Sequence, residues 1–204
     1  MHQLPPNTGR ITPGWGRSSI FVGGVFLCSC FSGTPTSSVT NLGAEDLAAL
    51  VEIMAEEDRR PTFAQATALR NGLASDNALL RHFSARGLGR LEDPAALAVL
   101  GRTLTDPDAV VRLTAAGAIA QSVFNDDTET AAGLLRGRLD EEHEPAVRGA
   151  LAQSLGRLRS ASATTIEQTQ TTLLDVAQWD APLETLVPTL RGFESLVRTN
   201  TDIE

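Results

Sequence analysis

A chain of 204 residues is long enough for one folded domain together with a terminal extension. Its 17 basic residues are all arginine, its 25 acidic residues all lie at or after Glu45, and its net charge is −8. An acidic body is not attracted to nucleic acid or to anionic lipid, so we expect no nucleic acid partner. The 42% hydrophobic content also excludes a wholly disordered chain.

The first 30 residues form a leader that contains a short uncharged apolar run. This run, Ile20–Leu27, is too short to span a bilayer as a helix, but it suits the core of an export signal with Arg10 and Arg17 as a positive flank. It ends in Leu27-Cys28-Ser29-Cys30. This ending resembles the lipobox of bacterial lipoproteins, which implies that Cys30 is the lipid acceptor. Another type of export signal, or a chance apolar run in a disordered N-terminus, is the alternative.

The leader and a flexible segment precede the folded body. Residues 31–43 are rich in Ser, Thr, Gly and Pro and are expected to form a tether. We therefore divide the chain into leader 1–30, tether 31–43, body 44–199 and tail 200–204. A lipid on Cys30 is then the only expected membrane contact, with the body on the periplasmic or outer side of the cell envelope. If the leader is not a signal, the body is expected in the cytoplasm.

Apolar residues at spacings of three and four predict a series of helices after Ala44. The first covers residues 44–59 with one apolar face, and the second follows Pro61. Asn77 and Asp108 are expected to cap two later helices, and Pro94 to stand in the first turn of another. In chain order, the residues that define these helices are Leu47, Leu50, Val51, Met54; Phe63, Ala66, Leu69, Leu73; Leu97, Leu100, Leu104; Leu134, Leu135, Leu139; and Ile166, Leu173, Leu174, Val176.

The last predicted helix is unusually apolar. Pro188 lies inside it and is expected to bend or start it. Because so apolar a helix does not face solvent on all sides, either it closes the preceding hairpin or it awaits a partner. Trp179, in the turn before it, is expected to pack beneath the last hairpin. The apolar residues of this helix are Leu183, Leu186, Val187, Leu190, Phe193 and Val197.

One pattern occurs three times in the body. Each copy reads aliphatic residue, Arg, two free positions, two mostly small residues, a free position, a small residue, an aliphatic residue and a small residue. The arginines are 31 and 36 residues apart, which is a period typical of stacked helical hairpins. They are Arg81, Arg112 and Arg148. The aliphatic residues near the end of each copy, expected to be buried between hairpins, are Leu88, Ile119 and Leu155.

These copies resemble the second helix of HEAT repeats, in the short, PBS-lyase-like bacterial form. The resemblance implies an all-α fold, an α-solenoid of about four helical hairpins whose first helices lie on the convex side and whose second helices line the concave side. It also implies a structural role for the repeated arginine, which bonds an acidic or polar residue six positions earlier. The partners implied for Arg81, Arg112 and Arg148 are Ser75, Asp106 and Glu142.

The free positions of the repeat define the candidate interaction surface. They recur every four residues, which keeps them on one helix face and away from the core. When the helices stack, they are expected to form a polar, modestly basic strip. Its predicted contact residues are His82, Arg86, Arg90, Gln121, Gln153 and Arg157, with Leu113, Gly117 and Gly149 at the remaining free positions. A solvated face without a partner is the alternative.

The sequence contains no Gly-rich phosphate loop, nucleophile motif or cysteine pair with metal-ligand spacing. The acidic turn around His143 is interpreted as solvated rather than as a metal site. We therefore expect no cofactor and a non-catalytic scaffold that binds another protein or peptide on the concave face. Two alternatives stay open: an accessory HEAT array of an enzyme such as a peptidyl-prolyl isomerase, and a HEAT-like phycobilin lyase. The sequence predicts no oligomeric state.

Overall fold

The computed structural model describes residues 42–124, 127–160 and 162–200, and these residues form nine α-helices and no strand. The expectations for Cys30, for the leader and for most of the tether lie outside them. In chain order the helices are α1 (Ala44–Arg59), α2 (Thr67–Gly72), α3 (Ala78–Leu91), α4 (Leu97–Thr103, preceded by a 3₁₀ turn at Pro94–Ala96), α5 (Ala109–Ser122), α6 (Thr128–Glu141), α7 (Pro145–Arg157), α8 (Ala163–Val176) and α9 (Leu183–Asn200).

The helices pack in two layers of repeated hairpins. The A helices are α2, α4, α6 and α8, and each packs against the B helix that follows it, namely α3, α5, α7 or α9. Each B helix also packs against the next B helix, and α1 packs against α3 in the place of a preceding B helix. The predicted all-α fold of about four stacked hairpins is therefore confirmed.

Side-chain caps fix where the B helices begin. The side chain of Asn77 accepts a hydrogen bond from Leu79 N at 3.0 Å, and that of Asp108 accepts one from Val110 N at 2.8 Å. These acceptors satisfy backbone N–H groups that have no partner within the helix. Both caps were predicted from the sequence and are confirmed.

A continuous apolar core lies between the two layers. The repeat residues Leu88 and Ile119 are fully buried, and Leu155 is 1% exposed. All three belong to one cluster that extends from Ile53 in α1 to Leu196 in α9. The predicted burial of the three repeat residues between hairpins is confirmed.

Glycine allows an especially close approach between the last two B helices. A Cβ atom at Gly156 of α7 would lie 2.3 Å from the carbonyl oxygen of Gly192 in α9. A Cβ atom at Gly149 would lie 2.3 Å from the carbonyl oxygen of Glu184. Pro188 lies inside α9, four residues after Glu184, and has no N–H to donate to the carbonyl oxygen of Glu184. This oxygen therefore has no helical hydrogen bond from residue 188, and it lies against α7. Small residues on both helices thus set the separation of α7 and α9.

Three details differ from the expectations. Helix α2 begins at Thr67 instead of near Phe63, because residues 62–66 form turns in which Ala66 N donates to Thr62 O. Leu174, one of the four apolar residues that defined this predicted helix, is not on its buried side but is 61% exposed on α8. Trp179 is 93% exposed, so the prediction that it packs beneath the last hairpin is wrong. It lies in a turn in which Ala181 N donates to Gln178 O, and no described residue covers its side chain.

No helix in the described part of the chain is both long enough and apolar enough to cross a membrane.

Candidate functional site

The repeated arginines form a ladder along the turns that precede the B helices. Arg81 donates from Nε and Nη2 to the carboxylate of Asp106, at 2.7 and 2.9 Å, and from Nη1 to Ser75 O at 3.0 Å. Arg112 repeats this arrangement with the carboxylate of Glu142, at 2.8 and 3.2 Å, and with Asp106 O at 2.9 Å. These bidentate pairs connect the first hairpin to the second and the second to the third.

The resemblance implied that each arginine bonds the residue six positions earlier, and all three do so, through the backbone carbonyl of that residue. The carboxylate partners of Arg81 and Arg112 are an addition to that expectation, and each comes from the following hairpin. Asp106 therefore contacts Arg81 through its side chain and Arg112 through its carbonyl. Glu142 likewise contacts Arg112 through its side chain and Arg148 through its carbonyl, at 2.8 Å. Asp106 and Glu142 thus direct their carbonyls toward the arginine of their own hairpin and their carboxylates toward the arginine of the preceding one.

Glu142 is the most strongly perturbed acid of the ladder. Its side chain is 3% exposed and accepts hydrogen bonds from Arg112, from Arg138 Nη2 at 2.7 Å and from the N–H of Glu144 at 3.0 Å. Burial acts to raise the pKa of Glu142, but these hydrogen bonds outweigh it and lower the pKa from 4.5 to about 2. The sequence suggested that the acidic turn is solvated, yet this carboxylate is buried in an arginine cluster.

The first hairpin contains the most basic part of the predicted interaction strip. Arg86 Nη2 donates to Glu57 Oε2 at 2.9 Å, and Arg90 Nη1 donates to Glu57 Oε1 at 2.7 Å. Glu57 lies on α1 and its side chain is 3% exposed. The guanidinium of Arg86 also lies 4.6 Å from the centre of the Phe83 ring. Both arginines therefore join α1 to α3, which the sequence reasoning did not foresee.

His82 is likewise held by a neighbouring helix. Its Nδ1 lies 2.8 Å from the hydroxyl of Thr114 on α5, and its ring meets the ring of Phe83 edge-on at 5.2 Å. Burial, reinforced by the charge of Arg86, lowers the pKa of His82 below its ordinary value. A neutral ring is the form that suits this position between two helices.

The rest of the predicted strip is only partly open. Gln121 and Arg157 are exposed, while Gln153 is half-buried. Gly149, which held a free position in the repeat, is buried against α9. The strip residues thus share the B helices as predicted, but on α7 the neighbouring helix covers part of the surface.

Apolar side chains that the sequence reasoning did not assign to a surface lie on the same side of the B helices. Val110 is 49% exposed and stands about 180° around α5 from buried Ile119, on the side away from the A helices. Leu47 stands about 180° around α1 from Glu56, whose carboxylate accepts from Leu69 N of α2 at 2.7 Å. The predicted apolar face of α1 is therefore largely exposed. Ile53, which was not part of that face, is the buried hydrophobic residue of the helix.

We call this exposed side of α1, α3, α5 and α7 the front face. Its apolar members lie mainly toward the beginnings of the helices and its polar members toward their ends. It consists of Leu47, Val51, Met54, His82, Arg86, Arg90, Val110, Leu113, Gln121, Gln153 and Arg157. The sequence carries no signal that the α1 part is exposed, because Leu47, Val51 and Met54 have the spacing of a buried helix face.

Within the described ranges, no group of three or more His, Cys, Asp or Glu side chains is placed to hold a metal ion.

Helical hairpins stacked in two layers and joined by a repeated arginine ladder define an α-helical repeat protein. Residues 66–156, from just before α2 almost to the end of α7, match the family model described as HEAT repeats, which supports a HEAT-repeat protein. No curated protein and no solved structure matched the chain. HEAT repeats commonly form helical scaffolds for protein interaction, and this general role is the one that the match supports.

Proposed function

We propose that this protein is a non-catalytic scaffold that binds another protein or a peptide through its front face and is tethered to the cell envelope by a lipid on Cys30. The proposed binding role is supported by one observation: Val110 and Leu113 are 49% and 38% exposed, on the side of α5 away from the core. Exposed apolar side chains grouped on one face of a folded domain are typical of binding surfaces.

The chemistry of the front face favours an apolar contact with a polar border. Leu47, Val51 and Met54 on α1 and Val110 and Leu113 on α5 are exposed aliphatic side chains. Gln121 and Arg157 lie near the other end of the same face and offer hydrogen-bond donors. A helix or an extended segment with one apolar side fits this distribution. The resemblance to HEAT repeats makes the front face the proposed concave side.

Binding is best tested with substitutions that leave the intramolecular pairs intact. Reversing the charges of Arg86 and Arg90 would leave the buried carboxylate of Glu57 without its hydrogen-bond donors. A loss of binding would then not be distinguishable from a loss of the fold. Val110→Asp combined with Leu113→Asp avoids this, because both side chains are exposed and the hydrogen bonds of the ladder use neither of them. Leu174→Asp is the matched control, since Leu174 is also exposed but lies on α8.

The experiment selects peptides from a random library on the purified chain and measures their affinities by fluorescence anisotropy. We expect the double substitution to weaken binding at least tenfold while Leu174→Asp leaves it unchanged, with equal thermal unfolding for all three proteins. Selected peptides that bind the double variant as tightly as the parent chain would place the binding site elsewhere. Failure to select any peptide would also count against a peptide-binding scaffold.

The proposed lipid anchor is inferred from the residues around Cys30, and it is tested by a separate experiment. Mass spectrometry of the native N-terminus should find a diacylglyceryl group on Cys30 and no residue before it. A chain that begins at Met1, or an unmodified Cys30, would reject the lipid anchor and favour the cytoplasm. Neither result would alter the front-face experiment, so the two parts of the proposal can fail separately.

A further inference from the structure

The last hairpin of the described array ends in an apolar surface that no described helix covers. On α9, Leu183 is 71% exposed, Val187 43%, Leu190 52% and Val197 61%. On α8, Leu174 is 61% exposed. We call these five residues the end face.

The end face points away from the rest of the array. Thr185 and Gly192 mark the side of α9 that contacts α7: the hydroxyl of Thr185 donates to Pro145 O at 2.8 Å, and Gly192 packs against Gly156. With about 100° between successive residues of a helix, Leu183 and Leu190 stand roughly 140–180° from these contacts. Leu174 stands about 180° around α8 from Thr165, whose hydroxyl donates to Glu129 of α6. The end face is therefore where a fifth hairpin would pack.

We propose that the end face binds the end face of a second copy of this chain, forming a two-fold symmetric dimer in which α9 runs antiparallel to α9 of the other copy. This inference does not depend on the proposed function of the front face.

The spacing of the end face is self-complementary. Leu183 and Val197 stand at equal distances in sequence before and after Leu190. In an antiparallel pair centred on Leu190, Leu190 therefore meets itself, and Leu183 of each copy meets Val197 of the other. An isologous contact requires this kind of symmetry, and two-fold dimers are the commonest oligomers of soluble proteins.

The charges beside the end face agree with the antiparallel arrangement. Glu184 and Arg198 lie on one side of α9, about four helical turns apart. In the antiparallel pair, residues on that side of one copy lie beside the same side of the other copy, so Glu184 comes close to Arg198. Arg198 also pairs with Glu194 of its own helix. In a parallel pair, Glu184 of one copy and Arg198 of the other would stay about four helical turns apart, so this contact could not form.

The size of the end face is sufficient for a weak, specific dimer. The 18 residues of α9 span about 27 Å at about 1.5 Å per residue, and two helices about 10 Å apart give a face about 20 Å wide. Covering this face on both copies buries about 1,000 Å², which is near the lower limit for a specific interface. We therefore expect a dimer that dissociates in the micromolar range.

Sedimentation equilibrium of the full chain, with Cys28→Ser and Cys30→Ser to remove other thiols and the lipid acceptor, provides the first test. We expect a concentration-dependent mass that approaches twice 21.6 kDa. Leu190→Asp should abolish the association, while Val110→Asp, at a similarly exposed front-face position, should leave it intact. A chain that stays monomeric at 100 µM, or one whose association is unaffected by Leu190→Asp, would overturn the proposal.

Cross-linking then tests the symmetry directly. In the same cysteine-free background, Leu190→Cys should form an intermolecular disulfide on mild oxidation, and Leu113→Cys should not. A mixture of Leu183→Cys and Val197→Cys chains should yield mainly the mixed disulfide. If each of those two variants instead formed disulfides mainly with itself, the pair would be parallel, and the antiparallel arrangement would be wrong.

Discussion

The arginine cluster around Glu142 should make stability depend strongly on pH. The folded pKa of Glu142 is about 2, compared with an ordinary value of 4.5. Because the folded pKa is the lower one, the unfolded chain binds a proton first as the pH falls. The stabilising contribution of this carboxylate is therefore fully present above pH 4.5 and is lost as the pH falls toward 2.

The magnitude follows from the size of the shift. A pKa lowered from 4.5 to about 2 corresponds to about 3 kcal/mol of unfolding free energy, of which about 2 kcal/mol is lost by pH 3. Glu142→Gln keeps the shape of the side chain but removes the charge. We expect it to cost about 3 kcal/mol at pH 7 and only about 1–2 kcal/mol at pH 3.

Urea unfolding followed by circular dichroism between pH 7 and pH 3 measures this difference. Glu141→Gln is the matched control, because Glu141 is the neighbouring residue, is 73% exposed and lies 3.6 Å from Arg138. It should change stability by less than about 0.5 kcal/mol at either pH. If Glu142→Gln cost as much at pH 3 as at pH 7, the shift would not arise from this carboxylate, and the reasoning would be refuted.

Four further substitutions test the packing. Gly156→Ala should lower the melting temperature, because its Cβ would lie 2.3 Å from Gly192 O. Gly117→Ala should instead stabilise the protein by about 0.5–1 kcal/mol, because no atom lies within 4 Å of the new Cβ. Ile119→Ala should cost about 2–5 kcal/mol in urea unfolding, and a loss below about 1 kcal/mol would contradict the shared core. Glu57→Ala should cost about 1–3 kcal/mol, because it removes the carboxylate that joins α1 to α3; unchanged stability would show that this bridge contributes nothing.

The hairpin architecture could be predicted because the same residue types recur at the same positions of each repeat copy. Ile119 recurs in register with Leu88 and Leu155, and a buried aliphatic residue at each copy requires the copies to share a core. Asp108 stands where a cap must stand if the following helix begins at Ala109. Such features depend on neighbouring residues in the sequence, and the structure agrees with them.

The candidate site was harder to predict because it depends on which residues of different helices meet. Arg86 and Arg90 look like free cations in the sequence, and only the packing of α1 against α3 brings Glu57 to them. Leu47 and Val51 have the spacing of a buried helix face, but among the described helices α1 packs mainly against α2 and α3, and these two side chains are exposed. Periodicity identifies a helix face without showing what covers it.

These pairings decide what the front face can recognise. A partner that used acidic groups to reach Arg86 or Arg90 would compete with Glu57, whose carboxylate is buried and would be left without its donors. Contacts with Val110 and Leu113 carry no such cost, since both side chains are exposed and apolar and hold no buried carboxylate in place. Recognition by apolar contact should therefore change little with salt, whereas recognition by charge should weaken as ionic strength rises. Affinities of selected peptides that stay constant between 50 mM and 500 mM salt would support the apolar surface, and a fall of tenfold or more would shift the argument back to the arginines.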